Sequence, residues 1–233
     1  MMNSLDIYSK VEDLIGIMEA RPKLYSYYEA SLATLKFNSL LDVGCGDGDF
    51  LVQIASEFPN SSFMGIDLSE DMISKALSKN LNAKVCDIAT ITQQFDVVTA
   101  VFDMINYLSP KELPTFMDSI EKVLNPKGYF LCDINTLYAF RDVATGSFVK
   151  DAIQRFVTVD SDFEDEVFTS EFTLFEQDKE DKAIYHKSQG TIYQYFHSVE
   201  KFQKSTNLKL IKKTPLKLYT NKHEKQYLVF QKI

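Results

Sequence analysis

No stretch of this chain approaches the ~18 to 20 consecutive apolar residues that a membrane helix needs. The opening MMNSLDIYSK lacks a basic patch followed by an apolar run, so no secretory leader is expected either. Cysteine is scarce: Cys45, Cys86 and Cys132 make an odd count, with no CxxC and no metal-like spacing to the three histidines. These shortages point to a reduced, cytoplasmic protein without a metal site, its cysteines acting as small buried hydrophobes. Internal repeats and low-complexity linkers are missing too, and 233 residues suit one compact domain.

Positive charge is also short overall, at a net −8. An acidic chain is poorly suited to wrapping nucleic acid, where phosphate neutralisation dominates affinity. From Lys204 onward the balance reverses, with eight lysines against one glutamate. LKLIKKTPLKLY and KQYLVFQKI read as strands whose outward faces carry solvated lysines. The acids concentrate in DSDFEDE (160–166), which reads as a solvated hairpin. The partners expected are therefore a small molecule, with no nucleic acid and no membrane, and the chain is a monomer or homodimer.

What is present is a change of period along the chain. Ile7, Val11, Leu14, Ile15 and Met18 lie on one face of a helix, interrupted at Arg21-Pro22, with a second helix through YSYYEASLATL. Short apolar runs then alternate with helical patterns. SLLDV leads to GCGDG and FLVQIASEF; FMGID leads to LSEDMISKAL, with Ser69 as N-cap; AKVCD, FDVVTAVFD and YFLCDIN follow. Ser109-Pro110-Lys111-Glu112 opens another helix with a capping box. Near-continuous apolar strands alternating with helices predict an α/β, doubly wound, Rossmann-like and mostly parallel sheet. Beyond residue 140, VFTSEFTLFEQ, AIYHKSQGTIYQYF and RFVTVDSDF have period two and predict an antiparallel β insertion. A short helix in SVEKFQKSTN and two final strands complete the chain.

Asp42-Val43-Gly44-Cys45-Gly46-Asp47-Gly48 follows the first strand and opens a helix, where backbone N–H groups face a ligand. The spacing is GxGxG rather than the dinucleotide GxGxxG, with Asp49 where the third glycine would stand. Asp42 would repel a pyrophosphate and attract an ammonium. Asp67 ends the second strand, where a carboxylate takes both hydroxyls of a ribose, and Asp87 ends the third, within reach of an exocyclic amine. Three acids at successive strand ends face one crevice. They suggest a ligand with an amino-acid head, a ribose and an adenine, and no phosphate.

LLDVGCGDG, FMGIDLSEDM, AKVCDI, FDVVTAVFDMINYL and LNPKGYFLCDIN, in this order, resemble class I S-adenosylmethionine-dependent methyltransferases over about residues 38–135. The later strands resemble the bacterial small-molecule branch with a β insertion after the fifth core strand. The resemblance implies a seven-stranded sheet and S-adenosyl-L-methionine as cofactor. It implies one methyltransferase domain: a helical lid (1–37), a cofactor core (38–135), an insertion on the acceptor side (136–197) and a final helix and strands (198–233). By the same resemblance Asp42, Gly44, Gly46 and Gly48 hold the methionine portion. Asp67 binds the ribose, Leu68 and Met72 lie against the adenine, Asp87 and Ile88 contact its edge, and Phe102 lines the sulfonium end.

Methyl transfer from a sulfonium is an in-line displacement in which alignment supplies much of the rate. A base matters only if the acceptor must lose a proton. Asp103 and Asn106, after the fourth strand, stand where such folds hold an acceptor. No DPPY or NPPY motif is present, which counts against methylation of DNA bases or glutamine amides. His186 and His197 are the candidate bases, and Tyr138, Tyr185, Tyr193 and Tyr195 the candidate acceptor walls. Tyr25, Tyr27 and Tyr28 are candidates for the lid. The function expected is N- or O-methylation of a small molecule. A carbon methyltransferase for a quinone-like acceptor and a non-catalytic cofactor-binding module remain alternatives; a nicotinamide oxidoreductase fits the loop spacing and Asp42 poorly.

Overall fold

The computed structural model describes residues 4–233. Five parallel strands form its centre: β1 (Ser39–Val43), β2 (Ser62–Asp67), β3 (Ala83–Val85), β4 (Phe95–Ala100) and β5 (Leu124–Asn135). A second, antiparallel sheet follows, of β6 (Gly146–Ala152), β7 (Arg155–Glu164), β8 (Val167–Gln177) and β9 (Tyr185–Tyr195). The chain returns through helix α6 (Val199–Lys204) to β10 (Lys209–Leu216) and β11 (Lys225–Gln231). β11 lies antiparallel on β5, which completes a seven-stranded sheet in the order β10-β11-β5-β4-β1-β2-β3. The expected doubly wound α/β class, with its antiparallel insertion, is the observed one. None of the described helices is long and apolar enough to cross a membrane.

The central strands read as unbroken apolar runs because both faces are covered. Side chains alternate across a strand. Leu40, Val97 and Leu131 therefore pack under α2 (Arg21–Leu32), α3 (Asp49–Glu57) and α4 (Glu70–Ser78). Leu41, Val98 and Phe130 pack under α5 (Glu112–Val123) and α6 on the other face. All six strand residues are fully buried, each contributing about 1.5 to 3 kcal/mol relative to exposure.

Local signals act as their chemistry dictates. Ser69 caps α4, its hydroxyl accepting from the Met72 N–H at 3.3 Å. The Glu112 carboxylate accepts from the Ser109 N–H at 2.8 Å, although regular α5 geometry starts only at Glu112. The acidic hairpin turns at Asp165 and Glu166, both left-handed (φ +50° and +64°) as a two-residue primed turn requires. Lys201 pairs with Glu166 there at 2.6 Å.

Two local expectations need correction. The single helix expected over residues 7–18 ends at Val11, and a turn with left-handed Gly16 leads to a short 3-10 segment at Ile17–Ala20. Leu14 and Ile15 still pack with Ile7 and Val11, so the hydrophobic face persists without the helix. Pro22 sits in the first turn of α2, where its missing N–H costs nothing, so it starts a helix rather than merely interrupting one. The second correction is strand β6, GSFVKDA, an almost wholly exposed edge whose composition gave no period-two signal.

The insertion does not stand alone. Helix α1 (Ser4–Val11) lays Ile7 and Val11 on Val157, Phe172, Leu174 and Ile192 of its inner face. N-terminal helix and insertion sheet thus form one roof over the carboxyl ends of the central strands.

Candidate active site

β1 pairs with β2 on one side and β4 on the other, so the chain diverges at the carboxyl end of β1 and opens a crevice there. The glycine loop crosses this crevice. Gly44, Gly46 and Gly48 all have positive φ (+70°, +55° and +81°). At Gly44 an added Cβ would meet the Met104 side chain at 2.6 Å. Gly48 serves differently from the expectation. It is the N-cap of α3, where an added Cβ would collide with the Leu81 side chain, and it does not line the crevice.

The crevice is a cavity of about 560 Å³. It is lined by Asp42, Gly44, Gly46, Asp67, Leu68, Met72, Asp87, Ile88 and Phe102, nine of the ten positions expected to meet the cofactor. The Asp67 carboxylate accepts from the Gly46 N–H and the Ser69 N–H, both at 2.9 Å, which ties the loop to the end of β2. Asp87 accepts from the Ala89 N–H at 2.8 Å. Asp42, 1% exposed, accepts from the Thr99 hydroxyl at 2.6 Å. Burial pushes its carboxyl up to about 7, with the Asp67 charge adding and Thr99 opposing.

Several lining residues carried no sequence signal. Arg21, 12% exposed, reaches Asp49 at 2.8 Å, Glu12 at 2.9 Å and Asp47 at 3.5 Å. Lys79 joins from the C-cap of α4, 3.1 Å from Asp47. Burial would raise the Asp47 carboxyl, but Arg21 and Lys79 hold it below the usual range. This network pins the N-terminal segment onto the glycine loop. Tyr8 of α1, Tyr107 and Ile192 add to the roof, and Tyr25 lies against Phe50 and Phe102 at ring separations of 5.1 and 6.0 Å.

The structure separates the three expected catalytic residues from the cavity. His186 stands at the far end of β9, six residues or roughly 20 Å of strand from Ile192. It is solvent-exposed and pairs with Asp178 at 2.7 Å in the hairpin. His197 is buried, and its Nε2–H donates to the Leu108 carbonyl at 2.8 Å; burial lowers its pKa, so the ring stays neutral and tied. Asp103 is engaged on both oxygens, by Lys225 at 2.8 Å and by Gln194 at 2.8 Å. Burial alone would raise its carboxyl, but the Lys225 ammonium brings it below the usual carboxylate range, which makes it a poor base. Alanine at His186 should therefore leave cofactor affinity and melting temperature unchanged; a loss of affinity in calorimetry would return it to the site.

Of the other expected residues, Tyr193, Tyr195 and Tyr25 line the cavity, while Tyr28 is fully buried beneath it. Tyr185 stays at the distal end of β9, and Tyr138 lies under Lys222, 4.6 Å from its ring centre. Asn106 is a buried tie between the Tyr195 carbonyl and the Asn135 N–H, both at 2.8 Å. Cys45 and Cys86 line the cavity; burial pushes the Cys45 thiol up, so it does not act as a nucleophile. Among the described residues no group of His, Cys, Asp and Glu has the arrangement to hold a metal.

These residues fit S-adenosylmethionine. The lining carries Glu12, Asp42, Asp47, Asp67, Asp87 and Glu112 against the one cation Arg21, a donor set that suits a sulfonium, an ammonium and a ribose and opposes a pyrophosphate. The Gly44 cradle would be filled by any Cβ.

Comparisons agree. The chain superposes with a TM-score of 0.74 on an S-adenosylmethionine-dependent methyltransferase from Clostridium acetobutylicum, at 23% identity over 97% of this chain and 96% of the other. An S-adenosylmethionine-bound amino pentose methyltransferase from Micromonospora echinaspora gives 0.68 at 18% identity, covering 100% and 98%. An uncharacterized methyltransferase of Schizosaccharomyces pombe is 34% identical over 121 residues, 48% of this chain and 45% of that protein. The chain spans about half the length of such curated relatives. The profile of the methyltransferase-domain family matches residues 36–200, and the chain accordingly belongs to that family, built on the class I S-adenosylmethionine-dependent fold.

Proposed function

We propose that this protein transfers a methyl group from S-adenosylmethionine to a nitrogen or oxygen of a small molecule held beneath α1 and β9, an amine nitrogen being the best match. One observation carries the reading: the cavity is acid-lined, roofed by Tyr8, Tyr193 and Tyr195, and has neither histidine nor lysine in its lining. The cofactor supplies an electrophilic methyl on a sulfonium. Asp42, Gly44 and Gly46 would hold its methionine end, Asp67 the ribose, and Leu68, Met72, Asp87 and Ile88 the adenine. Phe102 and Met104 would keep water from the reacting end, and the N-terminal segment pinned by Arg21 would serve as the lid.

An alcohol must shed its proton as it attacks; the lining has no histidine for that task, and Asp42, whose raised carboxyl would suit it, is committed to the cofactor's ammonium in this reading. An amine attacks through its own lone pair and loses a proton to solvent afterwards. A negative field and tyrosine faces also draw in the ammonium form, which gives one proton to solvent before its nitrogen attacks. Among solved structures of similar fold are an amino pentose methyltransferase and a sugar N-methyltransferase.

Thermal unfolding with S-adenosylmethionine, S-adenosylhomocysteine, NAD and NADP in parallel tests the cofactor. At a hundred times Kd a ligand adds about 2.7 kcal/mol of apparent stability, so the two adenosyl compounds should each raise Tm by several degrees. A shift with a nicotinamide alone would overturn the reading. Release of S-adenosylhomocysteine in the presence of amine and alcohol panels then tests the acceptor.

Asp42 gives the site a pH signature. Its folded-state carboxyl titrates at about 7 against 3.8 for the free side chain. The neutral form favoured by burial contributes stability that is complete below about pH 4 and lost as pH rises through 7. The ammonium of the ligand's amino-acid head pairs with the ionised form, so S-adenosylhomocysteine affinity should climb between pH 5 and 7, by at most about tenfold per unit. In Asp42→Asn that slope should flatten; a slope that persists would assign it to another group.

A further inference from the structure

The corner after β4 is an unfavourable stretch of backbone in the cavity wall. Phe102 and Asp103 both take left-handed geometry, φ +58° and +52°, without a glycine to permit it. What holds them is Asp133, fully buried in β5. Its two oxygens accept the Phe102 and Asp103 N–H groups, each at 2.9 Å, and it also receives the Tyr28 hydroxyl at 2.7 Å.

Lys225 of β11 sits at the centre. Its ammonium, 3% exposed, lies 2.9 Å from Asp133, 2.8 Å from Asp103 and 6.0 Å from the centre of the Phe102 ring. The far oxygen of Asp103 accepts from the Gln194 side chain at 2.8 Å. Gln194 stands between Tyr193 and Tyr195, two residues of β9 that border the cavity at the roof. Lys225, Asp133, Asp103 and Gln194 themselves stay outside the lining. An apolar trio of equal volume would often hold a sheet as well as buried charges do. It would not supply directional bonds that reach the floor and the roof of one cavity at once.

We propose that Lys225 is a positioning residue for methyl transfer: through Asp133 it fixes the Phe102 corner, and through Asp103 and Gln194 it sets where Tyr193 and Tyr195 stand over the acceptor. The inference rests on the methyltransferase reading of the cavity. It explains why β11, the last strand, carries a buried lysine level with the active-site edge of the sheet. It also gives Asp103 a role without contact to the acceptor.

The test compares Lys225→Met and Lys225→Arg with the wild type by hydrogen–deuterium exchange and by S-adenosylhomocysteine affinity. In Lys225→Met, exchange over 191–196 should rise at least tenfold while β1 stays protected, and affinity should fall several-fold. Lys225→Arg should recover most of both. Should Lys225→Met fail to fold, Gln194→Leu decides, because it cuts the link from Asp103 to the roof and leaves Lys225, Asp133 and Asp103 in place. There, exchange over 191–196 should rise with affinity unchanged within twofold. Unaltered protection of 191–196 in the variants that fold would overturn the proposal. Failure of the wild type to bind S-adenosylhomocysteine would instead overturn the function, leaving the exchange result to judge the network separately. With an acceptor in hand, Lys225→Met should lower kcat more than it raises KM.

Discussion

Replacing Asp67 with alanine is expected to weaken S-adenosylhomocysteine binding by about 1.5 to 3 kcal/mol, roughly 10- to 150-fold in Kd by calorimetry. The carboxylate stands at the end of β2 with each oxygen taking one backbone N–H, from Gly46 and from Ser69. Each oxygen keeps a second acceptor position, enough for the two hydroxyls of a ribose diol. Burial raises the carboxyl above its ordinary value, with the N–H groups of Ser69 and Gly46 opposing, so hydroxyl donors arriving with a ligand would stabilise the charged form. The substitution removes these bonds and also frees the Gly46 N–H, so the loop should lose some of its set geometry. Asp67→Asn retains an acceptor without the charge and should fall between the two. Unchanged affinity in Asp67→Ala would remove the ribose assignment.

The cofactor half of this site was legible because parallel strands are apolar on both faces. An acid that ends such a run, as in SLLDV, FMGID or AKVCD, is conspicuous, and the strand ends that carry these acids converge on one crevice by topology alone. Of the ten positions that the resemblance implied, nine line the cavity, while Gly48 caps α3 and packs toward Leu81. Of the acceptor half only Tyr193 and Tyr195 were legible. Its residues come from α1, the 3-10 turn after β4 and the end of β9, segments far apart in sequence that meet only through tertiary packing.

Lys225 is an instructive miss. It belongs to the basic C-terminal stretch and was taken with the rest as a solvated lysine. Yet Lys225, Tyr227 and Val229 share one face of β11, and the latter two are buried against α2 and α3. Asp133, an acid inside YFLCDIN, pairs in register with Tyr227, one diagonal step from Lys225. A buried lysine needs an acid, and period two placed one beside it. The histidines stand outside the cavity lining for the opposite reason: a lone imidazole suggests chemistry, while an exposed hairpin pair and a tie to a carbonyl leave no trace in sequence.

The largest effect on stability is expected at Asp133. Its replacement by alanine should destabilise the protein by about 3 to 5 kcal/mol, the range found when one partner of a buried ion pair is removed. For a chain of this length that corresponds to a fall in Tm of roughly 6 to 20 °C. The side chain is fully buried and answers four donors: Lys225, the Tyr28 hydroxyl and the N–H groups of Phe102 and Asp103. Alanine leaves two of those N–H groups unpaired in left-handed backbone. Lys225 would retain only Asp103. A cavity alone would also destabilise, so the decisive comparison is a double-mutant cycle. Asp133→Leu should cost nearly as much as Asp133→Ala although it fills the space, because the ammonium stays buried. Adding Lys225→Met should restore part of that loss, since both charges are then gone. A Tm for Asp133→Ala within about 2 °C of the wild type, or strict additivity of Asp133→Leu and Lys225→Met, would mean that these charges do not act as one unit.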